Sequence, residues 1–141
     1  MNKTTKISLF IISIFIIIQF IPYGKNHQNP KIVQEVNWNN KYTKQLFTKA
    51  CAACHSNNTV WPWYSNIAPV SWLVSHDVDE GREHFNVSMW NAQSKNKGDD
   101  AAEELEEGEM PMAIYTLMHP ESKLTTKEKE DLIKGLKETF N

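Results

Sequence analysis

Cysteine is scarce in this chain of 141 residues: there are two, Cys51 and Cys54. A disulfide-rich scaffold is therefore excluded, and two thiols this close in sequence cannot cross-link distant segments, so their purpose is local. An excess of one charge sign is missing too. With 15 basic against 17 acidic residues and a formal net charge of -2, the chain has no polycationic surface, which excludes nucleic acid as a partner. No internal repeat is visible, and no run of alternating β-branched residues offers a sheet, so an all-α fold follows. The length suits one ordinary domain with a short addition rather than two independent cores. Aromatic residues, by contrast, are plentiful: five Trp, six Phe and four Tyr are enough to wrap an apolar cofactor as well as to pack on one another.

Residues 7–21 read ISLFIISIFIIIQFI, behind Lys3 and Lys6 and ahead of Pro22, the layout of a signal h-region behind a positive n-region. The run is short for a hydrocarbon core about 30 Å thick, so residues 1–22 read as a signal peptide or a membrane anchor. No A-x-A-like cleavage site follows and no Cys there could take a lipid, which favours an uncleaved anchor. Lys3 and Lys6 favour a cytoplasmic amino terminus, with everything after Tyr23 outside the cytoplasm. The expected location is periplasmic or otherwise extracytoplasmic, held to the inner membrane if residues 7–21 are retained. Residues 23–37, rich in Asn, Gln, Lys and Pro, read as a polar linker, and the folded domain is expected over 38–141.

Cys51-Ala52-Ala53-Cys54-His55 is C-x-x-C-H, the attachment sequence of c-type haem. Each thiol adds across one vinyl group, and the adjacent histidine is placed to reach the iron. Two thioethers on one helical turn leave His55 little freedom except to point its ring at the metal. A zinc site would want a second ligand pair, yet no further Cys exists, and a thioredoxin-like enzyme would want a strand before the motif. Tyr42, Leu46, Phe47 and Ala50 instead mark a helix face leading into it, with Asn39 or Asn40 as N-cap. The expected cofactor is one covalent haem c.

For the opposite face of the iron the sulfur candidates are Met89, Met110, Met112 and Met118, and the nitrogen candidates His76, His84 and His119. Met110 is favoured. In Gly108-Glu109-Met110-Pro111 the glycine ends the preceding helix and the proline stiffens the chain beyond the sulfur, holding a thioether in a loop with little core to fill. Met112 is its nearest rival. For Met89, Met112 and Met118 the plainer use is gap-filling in the core, and for the three histidines a place on the surface among polar neighbours.

These residues resemble the small haem-binding domain family of exported c-type cytochromes, similar in plan to class I cytochrome c. The resemblance covers about residues 38–141 and rests on C-A-A-C-H-S-N-N-T at 51–59, W-P-W-Y-S-N-I-A-P-V-S-W at 61–72, E-G-R at 80–82, G-E-M-P at 108–111 and H-P-E at 119–121. It implies a cytochrome c-like helical domain around one covalent haem and a role in electron transfer. By the class I analogy the carbonyl of Pro69 would lie near the ring nitrogen of His55 and fix the imidazole. The second proline that the family pattern usually carries after M-P is missing here, which implies a slightly looser distal loop.

Pro69 can open a helix at its first turn, with Val70, Leu73 and Val74 on one face, running towards Gly81. Residues 99–107 read as a short acidic helix ended by Gly108, either a docking patch for a basic redox partner or, more simply, a solvated face. Thr125 with Glu128 makes a capping box for the last helix, whose Leu132, Leu136 and Phe140 should pack across the first helix of the domain. Trp61, Trp63 and Tyr64 could line a haem edge or simply fill a core. The favoured function is an electron carrier, not an enzyme: His55 and Met110 ligate the iron, redox proteins are the partners, and no substrate binds the metal. The alternative is a peroxidase or gas sensor with a weak or absent distal ligand. A redox dithiol without haem is the third reading.

Overall fold

The computed structural model describes residues 2–94 and 96–140. Among them every regular element is helical: α1 (Lys3–Ile18), α2 (Lys41–Ala50), α3 (Ala52–His55), α4 (Val70–His84), α5 (Ala101–Glu107), α6 (Ala113–Met118) and α7 (Thr126–Phe140), with short 3₁₀ turns between. The all-α expectation holds. The chain divides into two compact units, one of residues 1–28 and 60–77, the other of 29–59 and 78–141. Helix α4 begins in the first and ends in the second.

The larger unit is built on α2, α5 and α7. Asn40 caps α2, its side chain accepting from the amide of Thr43 at 2.9 Å. Leu46, Phe47 and Ala50 are buried as expected, but Tyr42 is exposed and Thr43 takes the inner position. The reason lies on α7, where Gly135 has no side chain: a Cβ there would collide with Thr43, so the two helices approach through this pair. The capping box of α7 is formed, with Glu128 accepting from the amide of Thr125 at 2.8 Å and Thr125 from the amide of Glu128 at 3.2 Å. Lys49 reaches Glu128 at 2.8 Å and ties α2 to α7. Leu105 of α5 joins Phe47, Leu132, Leu136, Phe85 and Val36 in one core, and Gly108 ends α5 in the left-handed conformation at φ 84°. Burying one face of α5 leaves its carboxylates outward, where Glu106 pairs with Lys137 at 2.5 Å.

The smaller unit joins the amino-terminal helix to residues 60–77. None of the residues of α1 is buried, and among the described residues no helix is long and apolar enough to cross a membrane. At 1.5 Å per residue the 16 residues of α1 reach about 24 Å. Just beyond it the Gln19 amide grips the backbone of Ala68, donating to its carbonyl at 2.9 Å and accepting from its amide at 3.0 Å. Gly24, at φ 73°, passes so close to the carbonyl of Ser71 that any Cβ would strike it. His27 stacks on Trp61 at 4.6 Å and meets the Ser65 carbonyl at 3.0 Å.

Residues 23–37 therefore differ from a free polar linker. The part in the larger unit lies alongside residues 87–90: Val33 donates to Ser88 and Val36 to Val87, both at 3.0 Å, and Trp90 donates to Gln34 at 3.0 Å. The polar side chains that suggested a tether are used on backbone groups, as when Asn29 donates to the Thr59 carbonyl at 2.8 Å.

Candidate functional site

The site grows out of the end of α2. The amide of Cys51 closes the last bond of that helix onto Phe47 at 2.8 Å, and its carbonyl then accepts from Cys54 at 3.2 Å and His55 at 3.0 Å. This tight turn is α3, and it brings both thiols and the imidazole together. Neither cysteine is in a disulfide.

The residues after His55 are held by their side chains. Ser56 donates to the Ala52 carbonyl and Thr59 to that of Ala53, each at 2.6 Å. Asn57 accepts from Asn86 at 2.7 Å and donates to the Lys31 carbonyl at 3.1 Å. Arg82 spans the loop, giving bonds to the Ser56 carbonyl at 3.0 Å, the Thr59 hydroxyl at 2.9 Å and the Asn29 side chain at 3.0 Å. Ser56, Asn57 and Thr59 of the S-N-N-T sequence thus form a buried polar lock, satisfied within the same unit, while Asn58 is exposed.

His55 is the centre. It is buried, and Phe85 stacks on its ring at 4.2 Å. Its Nδ1 lies 2.9 Å from the Gly81 carbonyl and 3.2 Å from that of Phe85. Carbonyls only accept, so the proton is on Nδ1 and the lone pair on Nε2. Burial pushes the imidazole below its ordinary value, against the pull of the Phe85 and Gly81 carbonyls, and the ring stays neutral. A neutral imidazole with Nδ1 held by carbonyls and Nε2 bearing the lone pair is the state in which histidine ligates a metal.

Gly81 permits the approach. A Cβ there would lie 2.9 Å from the Cβ of Cys54, so α4 can lie against the C-x-x-C turn only without a side chain at this position. Helix α4 runs through Gly81 to His84 instead of ending at it. The Cys51 thiol is pushed up to about 12, first by burial and then by the charge of Cys54. It is held as S–H, the opposite of the lowered thiolate that dithiol redox enzymes use.

The carbonyl expected from Pro69 is not the partner of His55: it accepts from Trp72 and Leu73 in the first turn of α4, and Gly81 and Phe85 take the role. Met110 is half-buried in the loop after α5, its amide bonded to Glu104 at 3.1 Å. Met118 is exposed, so it fills no core. His76 and His84 are on the surface, as their neighbours suggested, and His119 pairs with Glu121 at 2.9 Å. Trp61, Trp63 and Tyr64 belong to the smaller unit, where Trp63 meets Tyr64 edge-on at 5.8 Å and is 76% exposed.

Two features of the site went unread in the sequence. Arg82 stood in the E-G-R motif without a role. Tyr115 stacks on His119 at 4.7 Å and takes a bond from the Ser122 hydroxyl at 3.3 Å; burial raises its hydroxyl, with the charges of Cys54 and Cys51 adding to the effect. The i, i+4 spacing of Tyr115 and His119 was the signal available.

The donor set fits a haem iron. One neutral histidine offers a single lone pair, and two cysteine thiols stand on the same turn. Among the described residues no group of three or more His, Cys, Asp or Glu is arranged to hold a bare ion. Comparisons with curated proteins and with solved structures found no match. Residues 13–138 match the profile of the haem-binding domain, and the chain belongs to that haem-binding family.

Proposed function

We propose that the chain is a c-type cytochrome that holds one haem through Cys51 and Cys54, ligates its iron with His55 and Met110, and exchanges single electrons with redox proteins outside the cytoplasm. When bound, the haem supplies an iron that changes oxidation state by one electron. Cys51 and Cys54 would hold the group covalently, each thiol supplying the sulfur and the hydrogen for addition to a vinyl double bond, which would consume no oxidant and release no leaving group. His55 presents Nε2, while the Gly81 and Phe85 carbonyls orient the ring and raise its basicity. Met110 offers a soft thioether from the loop that Gly108 and Pro111 frame. Export through residues 1–22, with α1 retained as a membrane anchor, accords with attachment chemistry that takes place outside the cytoplasm.

The observation that carries this reading is the pair of carbonyl bonds to His55 Nδ1 on the same turn as both thiols. The test is the visible spectrum of the matured chain, oxidised, reduced, and reduced with carbon monoxide. A low-spin spectrum unresponsive to carbon monoxide in the native chain, and a responsive one in Met110→Ala, are expected. A native chain that binds carbon monoxide readily would mean an open iron, and a sensor or peroxidase in place of a carrier.

A further inference from the structure

The smaller unit has almost no apolar interior. Among the described residues, only Ala68 of the buried hydrophobic residues lies in it, whereas Phe20 at 83%, Val60 at 86% and Trp63 are exposed, and Tyr23, Ile67, Val70 and Leu73 are exposed as well. Water-facing apolar surface on this scale marks a binding surface. Charge is missing from the same stretches: residues 7–24 and 60–75 contain no Asp, Glu, Lys or Arg. The unit's charged residues are Lys3 and Lys6 at the start of α1, and Lys25 and Asp77 beyond its other end.

These residues are fastened to the end of α1. The two bonds from Gln19 fix Ala68 there, with Ile67 beside it and Val70 two residues on, and Leu73 follows Val70 at i, i+3 on α4. The helical run continues past Ile18, since Phe20 donates to Ile17 and Ile21 to Ile18. From Ile7 to Ile21 it reaches about 22 Å, short of a hydrocarbon core of about 30 Å. An apolar surface sunk at the bilayer interface reaches about 5–10 Å deep, which is the missing length.

We propose that residues 60–73 form an apolar collar that sinks into the bilayer interface around the end of α1, with Trp63, Ile67, Val70 and Leu73 against the lipid. The occupant is a phospholipid bilayer, named by an uncharged apolar face joined to the end of an apolar helix. Trp63 and Tyr23 take the interfacial level that amphipathic rings favour. The inference rests on α1 being retained as an anchor, so its test separates the two.

The full matured chain is mixed with phosphatidylcholine vesicles, with and without brominated acyl chains, and is followed by flotation and tryptophan fluorescence. The chain should float, bromine should quench its fluorescence, and that quenching should be lost in Trp63→Phe. The double variant Ile67→Asp with Val70→Asp, which keeps Trp63, should float and also lose the quenching as the collar lifts out. Flotation with quenching unchanged in Trp63→Phe or in the double variant overturns the collar and leaves the anchor. A chain that does not float overturns both.

Discussion

The two units of this chain solve opposite problems. The larger one buries Phe47, Leu105, Leu132 and Leu136 and satisfies the polar groups around His55 with its own carbonyls, amides and hydroxyls. The smaller one leaves Phe20, Val60, Trp63 and Leu73 outward, with Trp61 and Trp72 half-buried, and is held by polar groups, the Gln19 fork on Ala68 and the Ser65 carbonyl beside His27. The difference teaches where each unit finds its apolar partner. One packs on itself around a rigid turn of three chemically committed residues. The other leaves aromatic and aliphatic side chains exposed.

That contrast can be broken by substitution. Leu132 is fully buried, and Leu132→Ala should cost about 3–4 kcal/mol in urea unfolding, while Val70→Ala should stay within about 0.5 kcal/mol. Equal costs would erase the distinction between the units. Next in size, Arg82→Met removes bonds to Ser56, Thr59 and Asn29 and should cost about 2 kcal/mol, with faster amide exchange over residues 56–59. Gln19→Ala should cost about 1 kcal/mol and speed exchange at the Ala68 amide, leaving residues 56–59 unchanged. If that variant also loosened 56–59, the units would not be separately held.

The smallest effect sharpens the comparison through pH. Glu128 is held down to about 2 from 4.5, first by the Lys49 ammonium and then by the amide and hydroxyl of Thr125. A depressed carboxylate contributes stability above its unfolded value and loses it as pH falls through the folded one, so this contribution fades from about pH 5 to about pH 2. Unfolding titrations of Glu128→Gln should lack that part of the acid slope. The loss belongs to the larger unit, because Lys49, Thr125 and Glu128 all lie there. An unaltered slope would mean that the capping box carries no linked proton.

Much of the larger unit was legible. Thr125 with Glu128, Gly108 after the acidic run and the Leu132–Leu136 spacing each signal locally, and each is realised as read. The inner face of α2 was misplaced by one residue because Gly135, far along the chain, makes room for Thr43 rather than for Tyr42. The same limit governs the site. C-x-x-C-H is visible as a spacing in the sequence, whereas the carbonyls that orient His55 come from Gly81 and Phe85, brought in by the path of α4. Pro69 was the nearest guess by analogy, and its carbonyl is used within α4. Residues 23–37 looked like a linker because their side chains are polar, and composition does not say that those side chains will meet backbone groups.

The central claim is that Cys51 and Cys54 carry a covalent haem. Its most direct test is haem staining of the matured chain on a denaturing gel, beside the double variant Cys51→Ala with Cys54→Ala. The account predicts stain that survives denaturation in the native chain and none in the variant. Haem that washes out of the native chain, or stain retained by the variant, would contradict it.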